Sequence, residues 1–266
     1  MPDVKVAIAT PAYDGGAKVE YLMSMVNLFS RQKELGLELE PHFIKNESLI
    51  QRARNNLTEA FLKGTCDYLM FIDADIGFRP EYVKELVDQR KQIIGGIYPT
   101  KSIDYAKVMP EAKLPTHSAG KQFAVTLFPG KLKFNPKQPI PVMHIGTGFM
   151  LIERSAFEQI ILKNPPAAYV GLNPFNDVPS RIYPFFDCGT SYSTSKTEPI
   201  YVSEDYYFCD LARSVGIEIF AAPWMHFTHT GSFAYDACFL CSKGIHLHDV
   251  GTTTEENNRG DTNVKS

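Results

Sequence analysis

Two carboxylates one residue apart close an apolar run in Tyr68-Leu69-Met70-Phe71-Ile72-Asp73-Ala74-Asp75. Acids at the end of a buried strand are costly to desolvate unless a positive group meets them. Residues i and i+2 of a strand point to one side, so a strand here lets both carboxylates reach one ion. Oxygen ligands suit Mg2+ or Mn2+. Asp73 and Asp75 are therefore candidate metal ligands. The plainer account is a pair of loop acids capping the helix that Pro80 starts.

Other residues have the types that such a site would use. Glu204 and Asp205 follow Ser203 at the start of a predicted helix. Favourable interaction with the helix dipole explains most such pairs, whereas one acid aimed into a pocket would be a general base. His226 and His229 lie in Trp224–Gly231, and a neutral imidazole can add a ligand to an ion already held by carboxylate. A buried histidine bonded to backbone is the alternative. Arg52, Arg54 and Asn55 occupy the first turns of another helix and suit phosphate, ribose or base, or form a solvated face. Gly146-Thr147-Gly148 interrupts an apolar strand pattern, which implies close approach to the backbone by a ligand or by packing. Cys238, Cys241, His246 and His248 have the residue types of a zinc site, but their spacing matches no usual pattern and packing is expected. Lys101 and Asp104, just past the fourth strand, are further candidates for ligand contact.

The elements that must position these groups are read from periodicity. Strands are predicted at 4–10, 37–44, 68–72 and 93–98, with helices at 18–35, 48–63 and 80–89 between them. Ser48 is the expected N-cap of the second helix. This alternation implies a parallel sheet with right-handed crossovers, and ligands of such sheets bind beyond the carboxyl ends of the strands. Residues 99–120 read as a long loop, 123–134 as a hairpin and 142–152 as a strand. A helix follows at 153–162. The stretch 164–199 reads as a loop region with one short strand near 182–186. A helix at 203–215, closed by Gly216, and a strand at 217–221 complete the pattern.

Composition bounds the class. The chain has 266 residues, 44% of them apolar, and a net charge of −3, so it can bury a large α/β core and carries no basic stripe for nucleic acid. Five irregularly spaced cysteines fit reduced thiols. No apolar run is long enough to span a membrane. The N-terminus enters a strand pattern without a charged-then-apolar leader. A soluble, cytoplasmic protein is expected.

Taken in chain order, Thr10-Pro11-Ala12-Tyr13, Gln51-Arg52-Ala53-Arg54-Asn55, Asp73-Ala74-Asp75, Gly146–Ile152, Glu204-Asp205 and His229 resemble the GT-A glycosyltransferases, particularly the small inverting enzymes near family 2. The chain is also similar to compact glycosyltransferase domains encoded by large algal viruses. The resemblance covers roughly residues 4–231. It implies a GT-A (Rossmann-like), mostly parallel α/β sheet flanked by helices, with a smaller mixed acceptor-side part. Residues 1–250 would form one domain, nucleotide-binding over 1–98 and acceptor-side over 99–250, followed by a polar tail at 251–266. By carry-over, Thr10, Pro11, Ala12, Tyr13, Arg52, Arg54 and Asp73 bind the nucleotide. Asp73, Asp75 and His229 hold Mn2+ or Mg2+, Asp205 is the general base and Glu204 orients the acceptor. Gly146, Thr147 and Gly148 line the acceptor side. The substrates implied are a nucleotide sugar, UDP-linked, and a glycan or other hydroxyl acceptor. Aromatic residues Tyr183, Phe185, Phe186 and Tyr192 of the long loop can stack a sugar ring or simply pack.

Rival readings use the same residues. A retaining transferase would give Asp205 and Glu204 other roles. A nucleotidyl or phosphoryl transferase would use the acid pair with Mg2+ and release pyrophosphate. A non-catalytic carbohydrate-binding domain would keep the cleft without the chemistry. A dinucleotide oxidoreductase is disfavoured, because no Gly-x-Gly-x-x-Gly follows the first strand.

Overall fold

The computed structural model describes residues 3–103, 121–130, 134–176, 178–191 and 198–243. The first half alternates strand and helix: β1 (Val4–Ala12), α1 (Val19–Arg31), β2 (Leu37–Lys45), α2 (Ile50–Lys63), β3 (Tyr68–Ile72), the short β4 (Ile76–Gly77), α3 (Glu81–Asp88) and β5 (Ile93–Gly96). Next come β6 (Pro99–Ile103), β7 (Lys121–Phe123), β8 (Val125–Thr126), β9 (Ile140–Val142), β10 (His144–Ile145), β11 (Phe149–Glu153) and α4 (Arg154–Lys163). The chain continues through β12 (Tyr169–Leu172), β13 (Pro179–Ile182), β14 (Gly189–Ser191), β15 (Ile200–Val202) and α5 (Glu204–Ser214). It ends with β16 (Ile219–Ala222), β17 (His226–Thr230), β18 (Ala234–Cys238) and the single turn α6 (Phe239–Ser242).

Seven strands form the central sheet in the order β2-β1-β3-β11-β5-β16-β9. Five run parallel, while β11 and β9 run antiparallel to their neighbours. The mostly parallel α/β sheet implied by the sequence is the sheet that forms. A purely parallel one is not, because β11 inserts between β3 and β5. Strands from both halves of the chain thus share one sheet.

The sheet is covered on both faces, which is why its strands read as unbroken apolar runs. Successive residues of β3 point to opposite faces. Leu69 and Phe71 join a core with Leu57 and Phe61 of α2, Phe157 of α4 and Phe208 of α5. Met70 and Ile72 join a second core with Tyr21, Met25 and Leu28 of α1 and Val83 and Leu86 of α3. Gly216, at φ +87°, turns the chain out of α5 as expected.

Several boundaries differ from expectation. Leu49, not Ser48, is the N-cap of α2, and it makes no side-chain cap bond. The stretch after Pro99 begins with a strand, β6, which pairs with β7. Within the expected 123–134 hairpin, Val125–Thr126 pairs with His144–Ile145, and residues 131–133 of its second strand lie outside the described residues. The 164–199 region holds β12, β13 and β14 rather than one strand. The remainder of the expected loop at 104–120, Asp104, Tyr192, His246, His248 and the expected tail also lie outside the described residues. Among the described residues no helix is long and apolar enough to cross a membrane.

Candidate active site

A cleft of ≈ 480 Å³ opens beyond the carboxyl ends of β1 and β3. Pro11, Ala12 and Tyr13 line one side, Glu47 and Gln51 another, and Asp73 and Asp75 close it. Tyr13 is 71% exposed, an aromatic face free to meet a planar ligand. Thr10 does not line the cleft. It is buried, and its hydroxyl bonds the Tyr21 phenol at 2.7 Å, tying β1 to α1. Burial pushes that phenol up to about 12. Arg52 makes a bidentate pair with Glu47 at 2.6 Å, which holds the Glu47 carboxyl below its ordinary range.

The acid pair does not sit on a strand. β3 stops at Ile72, and Asp73–Asp75 forms a turn closed by the Ile76 N–H on the Asp73 carbonyl at 3.1 Å. The i, i+2 strand geometry expected of the pair therefore does not apply, and the two carboxylates have separate partners. Asp73 accepts from Arg54 Nη2 at 3.0 and 3.3 Å. The same guanidinium reaches Glu204 Oε1 through Nε at 3.2 Å and lies 5.3 Å from the centre of the Phe71 ring. The Arg54 side chain is 4% exposed. Burial opposes its charge, but Asp73 and Glu204 outweigh that and raise its pKa. Arg54 is thus an internal clamp and does not form a solvated face.

Asp75 lies between the Lys101 ammonium and the His229 imidazole. Its Oδ2 accepts from the Lys101 ammonium, and its Oδ1 faces His229 Nε2 at 3.3 Å. Burial raises the Asp75 pKa, but His229 and Lys101 lower it further, so the carboxyl sits below its ordinary range. β17 delivers His229 by pairing antiparallel with β4, which places His229 opposite Ile76. His229 Nδ1 is 2.8 Å from the Pro99 carbonyl. A carbonyl only accepts, so Nδ1 carries the hydrogen and Nε2 is the nitrogen turned to Asp75. Asp75 Oδ1 is buried and accepts no hydrogen bond among the described residues. An imidazole lone pair and a carboxylate oxygen facing each other need a positive charge between them, either a proton or a metal ion. A carboxylate and an imidazole are donor types that a divalent cation takes, so these two residues fit such an ion. Among the described residues no group of three or more His, Cys, Asp or Glu forms a metal cage by itself.

Asp205 stands in the first turn of α5. Its Oδ1 accepts from the Ser203 hydroxyl and from the Tyr206 N–H at 2.8 Å. Burial and the neighbouring Glu204 charge raise the Asp205 pKa against these donors. The two acids of α5 are thereby differentiated: Glu204 is bound to Arg54, while Asp205 is a carboxylate with elevated proton affinity.

Gly146, Thr147 and Gly148 are buried between β10 and β11. A Cβ at Gly146 would lie 2.1 Å from the Tyr98 Oη, and one at Gly148 would lie 2.8 Å from that phenol and 3.1 Å from Asp73 Oδ2. The Gly148 N–H donates to Tyr98 Oη at 3.0 Å, and the Asp73 N–H donates to the Gly148 carbonyl at 3.0 Å. Tyr98 and Asp73 are therefore what approaches this backbone closely. Asn55 also has a structural partner: its amide exchanges hydrogen bonds with the N–H and C=O of Phe186 at 2.9 and 2.8 Å. Phe185 and Phe186 are core residues and stack no ligand. Cys238 and Cys241 are free thiols.

Tyr98, Lys101 and Ser203 complete the site. Lys101 and Ser203 carry sequence signals, a lysine just past the predicted fourth strand and a serine that opens a predicted helix, whereas Tyr98 carries none. Fold and site together define an α/β protein with an acid-lined cleft at the carboxyl edge of a mostly parallel sheet. No protein-family profile matches the chain, and no curated protein matches its sequence. Among solved structures it is similar to A197 from STIV, at 13% identity over 86% of each chain with a TM-score of 0.48. It is also similar to GalNAc-T7 with UDP, GalNAc and Mn2+, at 13% identity over 85% of this chain and 43% of that one, with a TM-score of 0.39.

Proposed function

We propose that the chain is a GT-A-like glycosyltransferase that moves a sugar from a UDP-linked donor to a hydroxyl of a glycan or other acceptor, with inversion. Residues 1–250 act as one domain, with the donor side in 1–98 and the acceptor side in 99–250. The observation that carries this reading is the Arg54 bridge. One buried guanidinium binds both the cleft acid Asp73 and the α5 acid Glu204, a link between the cleft and the helix turn of the candidate base Asp205 that supports the reading.

Each residue has a role that follows from its surroundings. Tyr13 stacks on the base and the Pro11–Ala12 backbone meets its edge. Asp73, fixed by Arg54, accepts from the ribose. Asp75 and His229 hold Mn2+ or Mg2+, which when bound neutralises charge on the leaving diphosphate. Asp205 takes the proton of the incoming hydroxyl, and its raised pKa favours that transfer. Ser203 and the Tyr206 N–H occupy Oδ1, so Oδ2 is the oxygen that accepts the proton. Gly146–Gly148 acts on the acceptor side by holding Tyr98 and Asp73 in place.

A thermal-shift panel of nucleotide sugars, with and without Mn2+, tests the reading, because a ligand of the folded state raises its stability. The expected result is stabilisation by UDP compounds that depends on Mn2+, with UDP released on transfer. Pyrophosphate release would instead identify a nucleotidyl transferase. Indifference to every nucleotide would overturn the proposal.

A further inference from the structure

Lys101 is placed as no casual surface lysine is. It lies two residues after Pro99 on β6, and Pro99 supplies the carbonyl that orients His229. One short strand thus aims the imidazole at Asp75 Oδ1 and brings an ammonium to Asp75 Oδ2. The lysine stem has its own seat: a Cβ on Gly231 would lie 3.0 Å from Lys101 Cδ. Gly231 directly follows β17, the strand that carries His229. A divalent ion coming to Asp75 meets a carboxylate already neutralised by the chain, and its binding must displace or share the ammonium. A displaced ammonium stays within reach of the same spot, where the donor brings two phosphates.

We propose that Lys101 is a positioning residue with two partners, competing with the divalent ion for Asp75 and then pairing with the donor diphosphate. Metal and nucleotide would consequently bind as a set, each more tightly in the presence of the other. This inference rests on the donor-site assignment above and assigns Lys101 a part in its order of loading.

The test uses the whole chain and two binding measurements. Free Mn2+ is followed by electron paramagnetic resonance without nucleotide, and UDP binding by calorimetry at saturating Mn2+. For Lys101→Met, removing a contact cation should tighten Mn2+ binding ~3–10-fold at low salt. Losing a charged phosphate donor should weaken UDP binding ~10-fold. Lys101→Arg keeps the charge and should stay near wild type in Mn2+ affinity. Lys33→Met removes an exposed charge outside the cleft and should leave the Mn2+ affinity within ~2-fold, as expected of a solvent-screened charge. Gly231→Ala, which crowds the stem, should shift both constants in the direction of Lys101→Met, and it serves if that variant fails to fold. Wild-type binding with no tightening in Lys101→Met, or equal tightening in Lys33→Met, would overturn the competition. Loss of UDP affinity without a gain in Mn2+ affinity would do the same. A wild-type chain that binds neither Mn2+ nor UDP would overturn the donor-site assignment itself.

Discussion

Arg54→Met isolates the clamp. Methionine nearly fills the space of the arginine stem but leaves Asp73 and Glu204 without their cation. Removing one partner of a buried ion pair costs ~3–5 kcal/mol, because the other charge stays buried and unpaired. The two carboxylates differ in how far that applies. The Glu204 side chain is 12% exposed and the Asp73 side chain 27%, so water screens Asp73 in part. Against these losses Met keeps some contact with the Phe71 ring. A net cost of ~3 kcal/mol follows, and at ~2–4 °C per kcal/mol for a chain of this size the melting temperature should fall by ~6–12 °C. Calorimetry gives the shift. Adding Glu204→Gln to Arg54→Met should recover part of it by removing one stranded charge. Arg54→Lys should remain well below wild type, since an ammonium cannot present the fork that spans two carboxylates. A melting temperature for Arg54→Met within ~1 °C of wild type, combined with lost UDP affinity, would refute the clamp. Arg54 would then act on the donor and not on its own chain.

Asp205→Asn should keep Mn2+-dependent UDP binding in calorimetry while transfer falls by at least ~100-fold. Because the folded-state pKa of Asp205 is raised, the acidic limb of kcat/KM should lie above the ordinary aspartate value of ~3.9. In the window between that value and the raised one the folded state binds more protons, so Asp205 makes stability decline as pH rises; denaturation at a series of pH values should show this slope, and Asp205→Asn should lack it. Asp75 has the opposite sign: its lowered pKa contributes stability above the ordinary aspartate range that is lost as pH falls through the folded value. His229→Ala should abolish the Mn2+-dependent part of the UDP thermal shift while leaving the fold intact by circular dichroism. Gly146→Ala puts a methyl 2.1 Å from the Tyr98 Oη and should cost ~1–3 kcal/mol by chemical denaturation, with partial recovery when Tyr98→Ala is added.

The sequence shows much of the fold because burial on both sheet faces leaves continuous apolar runs, such as Leu69–Ile72. Strand order is not local information. Nothing in Phe149–Glu153 says that it enters the sheet antiparallel, between two strands from the other half of the chain. The site divides the same way. The acid pairs and His229 were legible as residue types at suggestive positions. The partners that decide their roles were not, because they lie far away in sequence. Arg54 meets Asp73 across 19 residues and Glu204 across 150, and Asn55 meets Phe186 across 131. A helix arginine reads as solvated until a buried carboxylate is found for it. Arg154 shows the same blindness: its guanidinium donates to the carbonyls of Phe61, Leu62, Gly64 and Cys66, closing the end of α2, with no motif to announce it.

These distant partners also change what the acid pair demands. From the sequence, two carboxylates at a strand end seem to need an outside cation. In the structure Arg54 answers Asp73 and Lys101 answers one oxygen of Asp75, so the desolvation cost of the pair is largely met from within the chain. The remaining need is narrower. It is the approach of His229 Nε2 to Asp75 Oδ1, with the other imidazole nitrogen committed to Pro99. A proton satisfies that approach when the imidazole is charged, and a divalent ion satisfies it when the imidazole is neutral. Mn2+ binding should therefore weaken as pH falls, because a proton and the ion compete for the position facing Asp75. Calorimetry in buffers of different ionisation enthalpy counts that proton. A metal affinity that does not change with pH would mean that His229 and the ion do not share the position facing Asp75.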